Sequence, residues 1–254
     1  MEDVNKIFGS FLIALTFISV IPVPQKFIPS WDSRGLRWFC PMLAVSGGVF
    51  GVLWLGVWVL LSGFVGVSGV LRGFVMMLFT LGLTGGLHLD GLMDTCDAIF
   101  SHRDRETRIK ILSDTHAGSF AVIGCVVVIL AKTLLFFELF ALRANPCTLS
   151  LIPAYSRVGM AVLLNVLPFA KSGGLAATLG ASRRRGDNFF FAVWVSVLCA
   201  AGGVRECVVW VSVLVMWGRL CVRVFGGITG DLLGAFVEVC EVIMLLWMVI
   251  ERCI

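Results

Sequence analysis

Apolar residues run along this chain in blocks too long for the core of a soluble fold. Residues 39–61, 119–140, 148–169 and 232–250 each come near the length a helix needs to cross hydrocarbon, about twenty residues. Residues 73–87 form a shorter span. Residues 189–204 and 207–217 read as two short spans or one hairpin, broken at Gly202-Gly203 and Arg205-Glu206. Residues 7–21 predict a tilted, re-entrant or interfacial segment, ending at Pro22-Val23-Pro24, which cannot continue a helix. Gly47, Gly48 and Gly51 predict close approach of a neighbouring helix. The pattern predicts an all-α, polytopic transmembrane helical bundle of about 6–8 membrane segments, forming one integral-membrane catalytic domain over residues 1–254.

Composition agrees with a bilayer as solvent. The chain is 59% hydrophobic and 14% charged, with a mean hydropathy of +0.99, whereas soluble domains carry about 25% charged residues. The net charge of +4 is scattered among loops, which predicts no nucleic-acid partner. The nine cysteines contain no C-x-x-C pair, so neither a disulfide framework nor a zinc site is expected. Met1-Glu2-Asp3 lacks the basic start of a secretory signal, so no cleavage is expected. Loops 22–38, 88–116, 171–188 and 218–231 share one side and hold 13 Lys and Arg residues against 4 on the other. The excess assigns that side to the cytoplasm and the chain to the cytoplasmic (inner) membrane. Arg183-Arg184-Arg185 reads as a topology signal or a contact with anionic lipid.

The candidate chemistry lies on the same side. In Gly85-Gly86-Leu87-His88-Leu89-Asp90-Gly91-Leu92-Met93-Asp94-Thr95-Cys96-Asp97, the acids are spaced by four and then three, one face of a helix. Like charges at that spacing repel, and a divalent cation would offset the repulsion. Carboxylate oxygens suit magnesium or manganese. Asp231, Glu238 and Glu241 form a second acidic face, with the two glutamates inside an apolar helix where ionised carboxylates need partners. Asp114 fits either a further acid at the same mouth or an N-cap of the 119–140 helix. Lys132 and Arg157, cations within apolar spans, either pair with the buried acids or hold phosphate oxygens. His88 fits a metal ligand, a general base or a structural residue, and its place beside the acids favours the active site. Many oxygen ligands, intramembrane cations and the absence of a nucleophilic triad suit metal-assisted transfer of a phosphoryl-type group. The residues alone do not name the acceptor.

The chain resembles the cobalamin synthase family, the adenosylcobinamide-GDP ribazoletransferases of vitamin B12 assembly, nearly end to end. The resemblance is carried by Thr84 to Asp97, by Asp114-Thr115-His116-Ala117-Gly118-Ser119, and by Gly226-Gly227-Ile228-Thr229-Gly230-Asp231-Leu232-Leu233-Gly234-Ala235 with Glu238 and Glu241. Phe17-Ile18-Ser19-Val20-Ile21-Pro22-Val23-Pro24 is also similar. The resemblance implies a magnesium-requiring membrane enzyme that joins adenosylcobinamide-GDP to α-ribazole or α-ribazole 5′-phosphate. It would release GMP and give adenosylcobalamin or its 5′-phosphate. It implies Asp90, Asp94 and Asp97 as metal ligands, with Asp231, Glu238 and Glu241 completing the site or holding a second ion. His88 or one of the acids would take the hydroxyl proton, and Asp114, His116, Lys132, Arg157 and Thr229 would contact substrate. The bilayer is the other expected partner, and a homo-oligomer stays open.

Two positions depart from the family pattern. Ala98 stands where the family has Gly, a strain if that backbone needs positive φ. His116 stands where it has Arg, making a permanent charge pH-dependent. The competing readings are a CDP-alcohol phosphotransferase-like lipid enzyme, whose signature D-x2-D-G-x2-A-R is absent, and a cation transporter. The transporter predicts acids near mid-membrane and internal repeats.

Overall fold

The computed structural model describes residues 2–28, 36–64, 66–171, 178–179 and 187–254. Arg183-Arg184-Arg185 therefore lies outside the described residues. Helix α1 (Glu2–Ile18) stops ahead of Pro22 and Pro24. Helix α2 (Phe39–Gly63) carries the longest apolar run. Helix α3 (Gly69–Thr84) opens on Ser68, whose Oγ accepts a hydrogen bond from the Leu71 N–H at 3.3 Å. Gly85 and Gly86, at φ of 62° and 79°, then turn the chain into α4 (Leu87–Phe100). Only glycine takes two successive left-handed positions cheaply, and here they bend the path by 91°.

Helix α5 (Arg105–Ile111) is capped by Asp104 Oδ1, which accepts from the Thr107 N–H at 3.0 Å. Helix α6 (Ser119–Ala141) follows. Helix α7 (Pro146–Ser150) starts with Asn145 as cap and Pro146 in its first turn, a pairing suited to a helix start. It runs on into α8 (Ile152–Val166), which ends one residue short of the residue preceding Pro168. Helix α9 (Asp187–Gly202) and helix α10 (Val204–Leu220) meet at Gly203. Helix α10 continues through a π-turn, Cys221–Phe225, and α11 (Gly230–Cys253) completes the chain.

Among the described residues, five helices are long and apolar enough to cross a membrane: α2, α6, α7 with α8, α10 with its π-turn, and α11. The bent pair α3 and α4 counts as a sixth if taken as one broken span. Lys6–Ile18 and Asn188–Gly202 are shorter apolar helices. This is an all-α, integral-membrane architecture. The two apolar segments expected over 189–204 and 207–217 are present and break at Gly203; the first is a short helix and the second is longer than expected, a span reaching Phe225. The span continues past 217 because Arg219 and Arg223 stand at its end, where long basic side chains reach polar surroundings while their stems stay on the helix.

Helix α11 is the hub, packing on α4, α6, α8 and α10. Helix α2 packs on α1 and α8, and α3 on α6. The predicted close approach is present at two of the three glycines: a Cβ on Gly47 would sit 2.9 Å from Ala154 Cα and one on Gly51 would run into the Ser150 carbonyl, whereas one on Gly48 would only touch the Trp194 ring at 3.9 Å. The connections at one end of the bundle are tied together. The Val20 N–H donates to Leu83 O at 3.1 Å, and the Ile228 N–H to Pro168 O at 2.9 Å. The acidic motif sits in this knot.

Candidate active site

Helix α4 is held against the start of α11 by a backbone contact. A Cβ at Gly91 would stand 2.7 Å from the Asp231 carbonyl oxygen and 3.0 Å from its Cα. The glycine between two mouth acids therefore lets the second acidic segment reach the first. Asp94 lies within electrostatic reach of Asp90, Asp231, Asp97 and Asp114. Asp90 is exposed, and Asp94 and Asp231 are half-buried. Thr229 caps α11 through its Oγ1, accepting from the Leu232 N–H at 3.3 Å, and the same hydroxyl stands 3.3 Å from Asp231 Oδ2. Thr229 thus fixes the direction of Asp231.

Asp97 is turned the other way. Its Oδ2 accepts from the Gly118 N–H at 2.6 Å and its Oδ1 from the Ala121 N–H at 2.9 Å. It caps α6, the task that the sequence offered to Asp114. Asp114 closes a local turn, accepting from the His116 backbone N–H at 3.1 Å and contacting His116 Nδ1 at 2.7 Å. These bonds hold the Asp114 carboxyl below its usual range. Both side chains are exposed to solvent beside the mouth. Ala98 is fully buried and continues α4 without positive φ, so the alanine imposes no strain there.

The remaining candidates form a separate, interior cluster. Lys132 Nζ lies 2.7 Å from Glu238 Oε2 and 2.7 Å from Glu241 Oε2. Arg157 Nη1 donates to Glu241 Oε1 and, at 2.9 Å, to Ser156 Oγ. Its guanidinium stacks over Phe50 at 4.5 Å. All four charged side chains are buried. Glu238 and Glu241 stand about 11 and 15 Å along α11 from Asp231. Of the two uses the sequence offered Lys132 and Arg157, the structure has the pairing with buried acids. His88, 1% exposed, lies between the two clusters, with its backbone and Nδ1 against Gly234. Its Nε2 meets no hydrogen-bonding protein atom.

Sequence reading gave no role to Gly91, Arg105, Ser113 or Lys171. Gly91 carried a signal, a glycine inside an otherwise helical acidic motif. Lys171 carried none beyond its loop position, yet its Nζ donates to Ser113 Oγ and its charge reaches Asp231.

Among the described residues, no three His, Cys, Asp or Glu side chains converge on one point suited to a metal. Magnesium does not need such a cage: it is typically held by one or two carboxylates, water and substrate phosphates. Asp90, Asp94 and Asp231 offer only hard oxygens, carry like charges and remain partly open, which fits that mode.

Fold and site define an integral-membrane helical protein with an acidic mouth at one end and a charge-neutral ionic cluster beneath it. The chain belongs to the cobalamin-5-phosphate synthase family, whose profile matches residues 10–249. A relative from Geobacillus kaustophilus (strain HTA426), an adenosylcobinamide-GDP ribazoletransferase, is 31% identical over 95% of each chain. Another of that name, from Geobacillus thermodenitrificans (strain NG80-2), is 33% identical over 97% of this chain and 96% of its own. A third, from Halalkalibacterium halodurans, is 33% identical over 91% of each. No solved structure matches the chain.

The two acidic clusters respond oppositely to neutralisation. Glu241→Gln leaves buried Arg157 without its carboxylate and Lys132 with Glu238 alone, and is expected to cost about 3–5 kcal/mol, read as a lower melting temperature in detergent. Asp90→Asn removes repulsion at an exposed position and is expected to leave the melting temperature unchanged or raised. Gly91→Ala forces α4 off α11 and is expected to cost about 1–3 kcal/mol by overpacking, seen in the same melting assay.

Proposed function

We propose that this chain is an adenosylcobinamide-GDP ribazoletransferase, transferring adenosylcobinamide phosphate from its GDP conjugate to a free ribose hydroxyl of α-ribazole or α-ribazole 5′-phosphate, one other than the 5′ position that the phosphate occupies. The observation that carries the reading is the meeting of Asp90 and Asp94 with Asp231 across the Gly91 contact. It joins two separated family motifs into one oxygen-rich mouth. In the reaction that ribose oxygen bonds to the phosphorus attached to cobinamide. The P–O bond of the diphosphate breaks and GMP leaves with its electrons.

Asp90, Asp94 and Asp231 would hold magnesium, which when bound neutralises diphosphate charge and polarises the bond that breaks. Thr229 keeps Asp231 aimed at the mouth, and Asp97 anchors α4 to the first turn of α6. The hydroxyl proton goes to a mouth carboxylate. His88, sealed under the mouth, supports α4 against Gly234. His116 and Asp114 flank the mouth as a paired, exposed unit available to substrate.

The basic excess on the loops around the mouth supports a site facing the cytoplasm from the inner membrane. The free, exposed Cys147 and Cys253 begin α7 and end α11 at the far end of the bundle. A membrane-impermeant maleimide is expected to label both from outside the inner membrane in spheroplasts; labelling only after lysis would reverse the orientation. For activity, the full chain in detergent with adenosylcobinamide-GDP, α-ribazole and magnesium is expected to release GMP and form a corrinoid product. Asp94→Asn or a chelator should reduce the rate by about 10²-fold or more, the scale of losing a transition-state charge contact. Absence of product from folded protein supplied with either ribazole form would overturn the reading.

A further inference from the structure

Around the acidic mouth stand three cations that the fold holds in place and that, among the described residues, pair with no carboxylate. The Arg105 guanidinium lies directly on Gly226, where any Cβ would overlap its Cζ and both terminal nitrogens. Gly226 takes φ of 75°, so the same residue both turns the chain and makes the seat. Five residues later the chain reaches Asp231. Lys171 arrives from the opposite direction. The Ala170 N–H donates to Ile228 O at 3.0 Å, a parallel pairing that sets Lys171 beside the same glycine loop. Its Nζ donates to Ser113 Oγ, just beyond α5, and its charge reaches Asp231. Arg108 is three residues after Arg105, on the same face of α5. Its Nε is buried and meets no hydrogen-bond acceptor. Helix α5 packs on both α4 and the π-turn, so these cations belong to the knot that holds the acids.

Among the described residues, none of the three forms an ion pair with Asp or Glu. Cations fixed beside acids yet unpaired with them call for a second, anionic partner. An acidic mouth alone would repel a diphosphate. Forked guanidiniums bind phosphate oxygens in two-point fashion, and an ammonium binds them as a point charge. We propose that Arg105, Arg108 and Lys171 form a cationic rim that binds the diphosphate of the nucleotide substrate and holds it against Asp90, Asp94 and Asp231. The rim rests on the ribazoletransferase reading for the identity of the substrate, and on the structure for the chemistry it recognises.

The test uses the full chain in detergent with two readouts: binding of pyrophosphate and of GDP by equilibrium dialysis, and KM for each substrate. Lys171→Met and Arg105→Met are each expected to weaken pyrophosphate and GDP binding and to raise KM for adenosylcobinamide-GDP about tenfold or more, the scale of one charged hydrogen bond. KM for α-ribazole should not move. Lys171→Arg should restore binding, which also answers for a Met variant that folds poorly. Lys110→Gln removes the same charge off that face and should change nothing. Ser113→Ala removes the Lys171 tether and keeps the charge; if it matches Lys171→Met, Lys171 is only a strut and the proposal fails for it. Unchanged pyrophosphate binding in both Met variants, or an equal loss in Lys110→Gln, overturns the rim. If the wild-type protein releases no GMP, the ribazoletransferase reading fails, while pyrophosphate binding still decides the rim by itself.

Discussion

Glu241 holds two cations at once, and the bundle is built around that fact. Its carboxylate takes Lys132 from α6 on one oxygen and Arg157 from α8 on the other, while Glu238 shares Lys132. Two acids and two bases thus close a neutral set inside the hub. A lone charge at the centre of a membrane helix costs about 2.5–3.5 kcal/mol on insertion scales and more when desolvated without relief. Four such charges are tolerable only together, so the set fixes the rotation of α11 against α6 and α8. Once α11 is fixed, the face bearing Asp231 and Gly234 is fixed as well, and α4 has one place to lie. Repulsion among exposed acids at helical spacing is only about 0.2–0.5 kcal/mol per pair. The interior set is the stronger term by several-fold, which lets the mouth keep acids that disfavour one another.

The two acidic clusters therefore divide the labour. Interior acids are spent on holding helices together, and a pathway for a free cation would need them unspent. Mouth acids remain partly open and incompletely paired, the condition for exchanging ligands. His88 lies where the two meet, walled by Gly234 and reached electrostatically by Arg157, Glu241 and Lys132. Its buried ring, two residues from Asp90, backs α4 against Gly234.

Most of the fold was legible because hydrocarbon enforces long apolar runs: the span expected at 39–61 is Phe39–Gly63, and that at 119–140 is Ser119–Ala141. The membership of the mouth was legible in part, since both acidic segments fall at the same end of alternating spans. The pairing was not. Asp94 and Asp97 read alike in sequence, three residues apart on one helix face, but only Asp97 meets the free N–H groups that open α6. A helix start offers fixed donors that a carboxylate outside it can satisfy. Which carboxylate does so depends on how two helices dock, information that spacing does not contain. Likewise spacing does not contain the depth at which Lys132 and Arg157 lie, where they meet Glu238 and Glu241.

The bend at Gly85 and Gly86 explains why a broken span serves this site better than a straight one. Sixteen residues of α3 rise only about 24 Å, short of the roughly 30 Å of hydrocarbon. Continued straight through α4, the helix would run about 48 Å and carry Asp94 some 39 Å from its start. The acids would then stand in water above the bundle, far from Asp231 at the head of α11. Turned by 91°, α4 lies across the end of α11 instead, and Gly91 comes down onto the Asp231 backbone. The same turn points the end of α4 at the start of α6, where Asp97 finds its N–H donors. Two glycines in left-handed conformation thereby convert a short apolar helix and a polar helix into one platform, with the acids at the end of the bundle beside the head of α11.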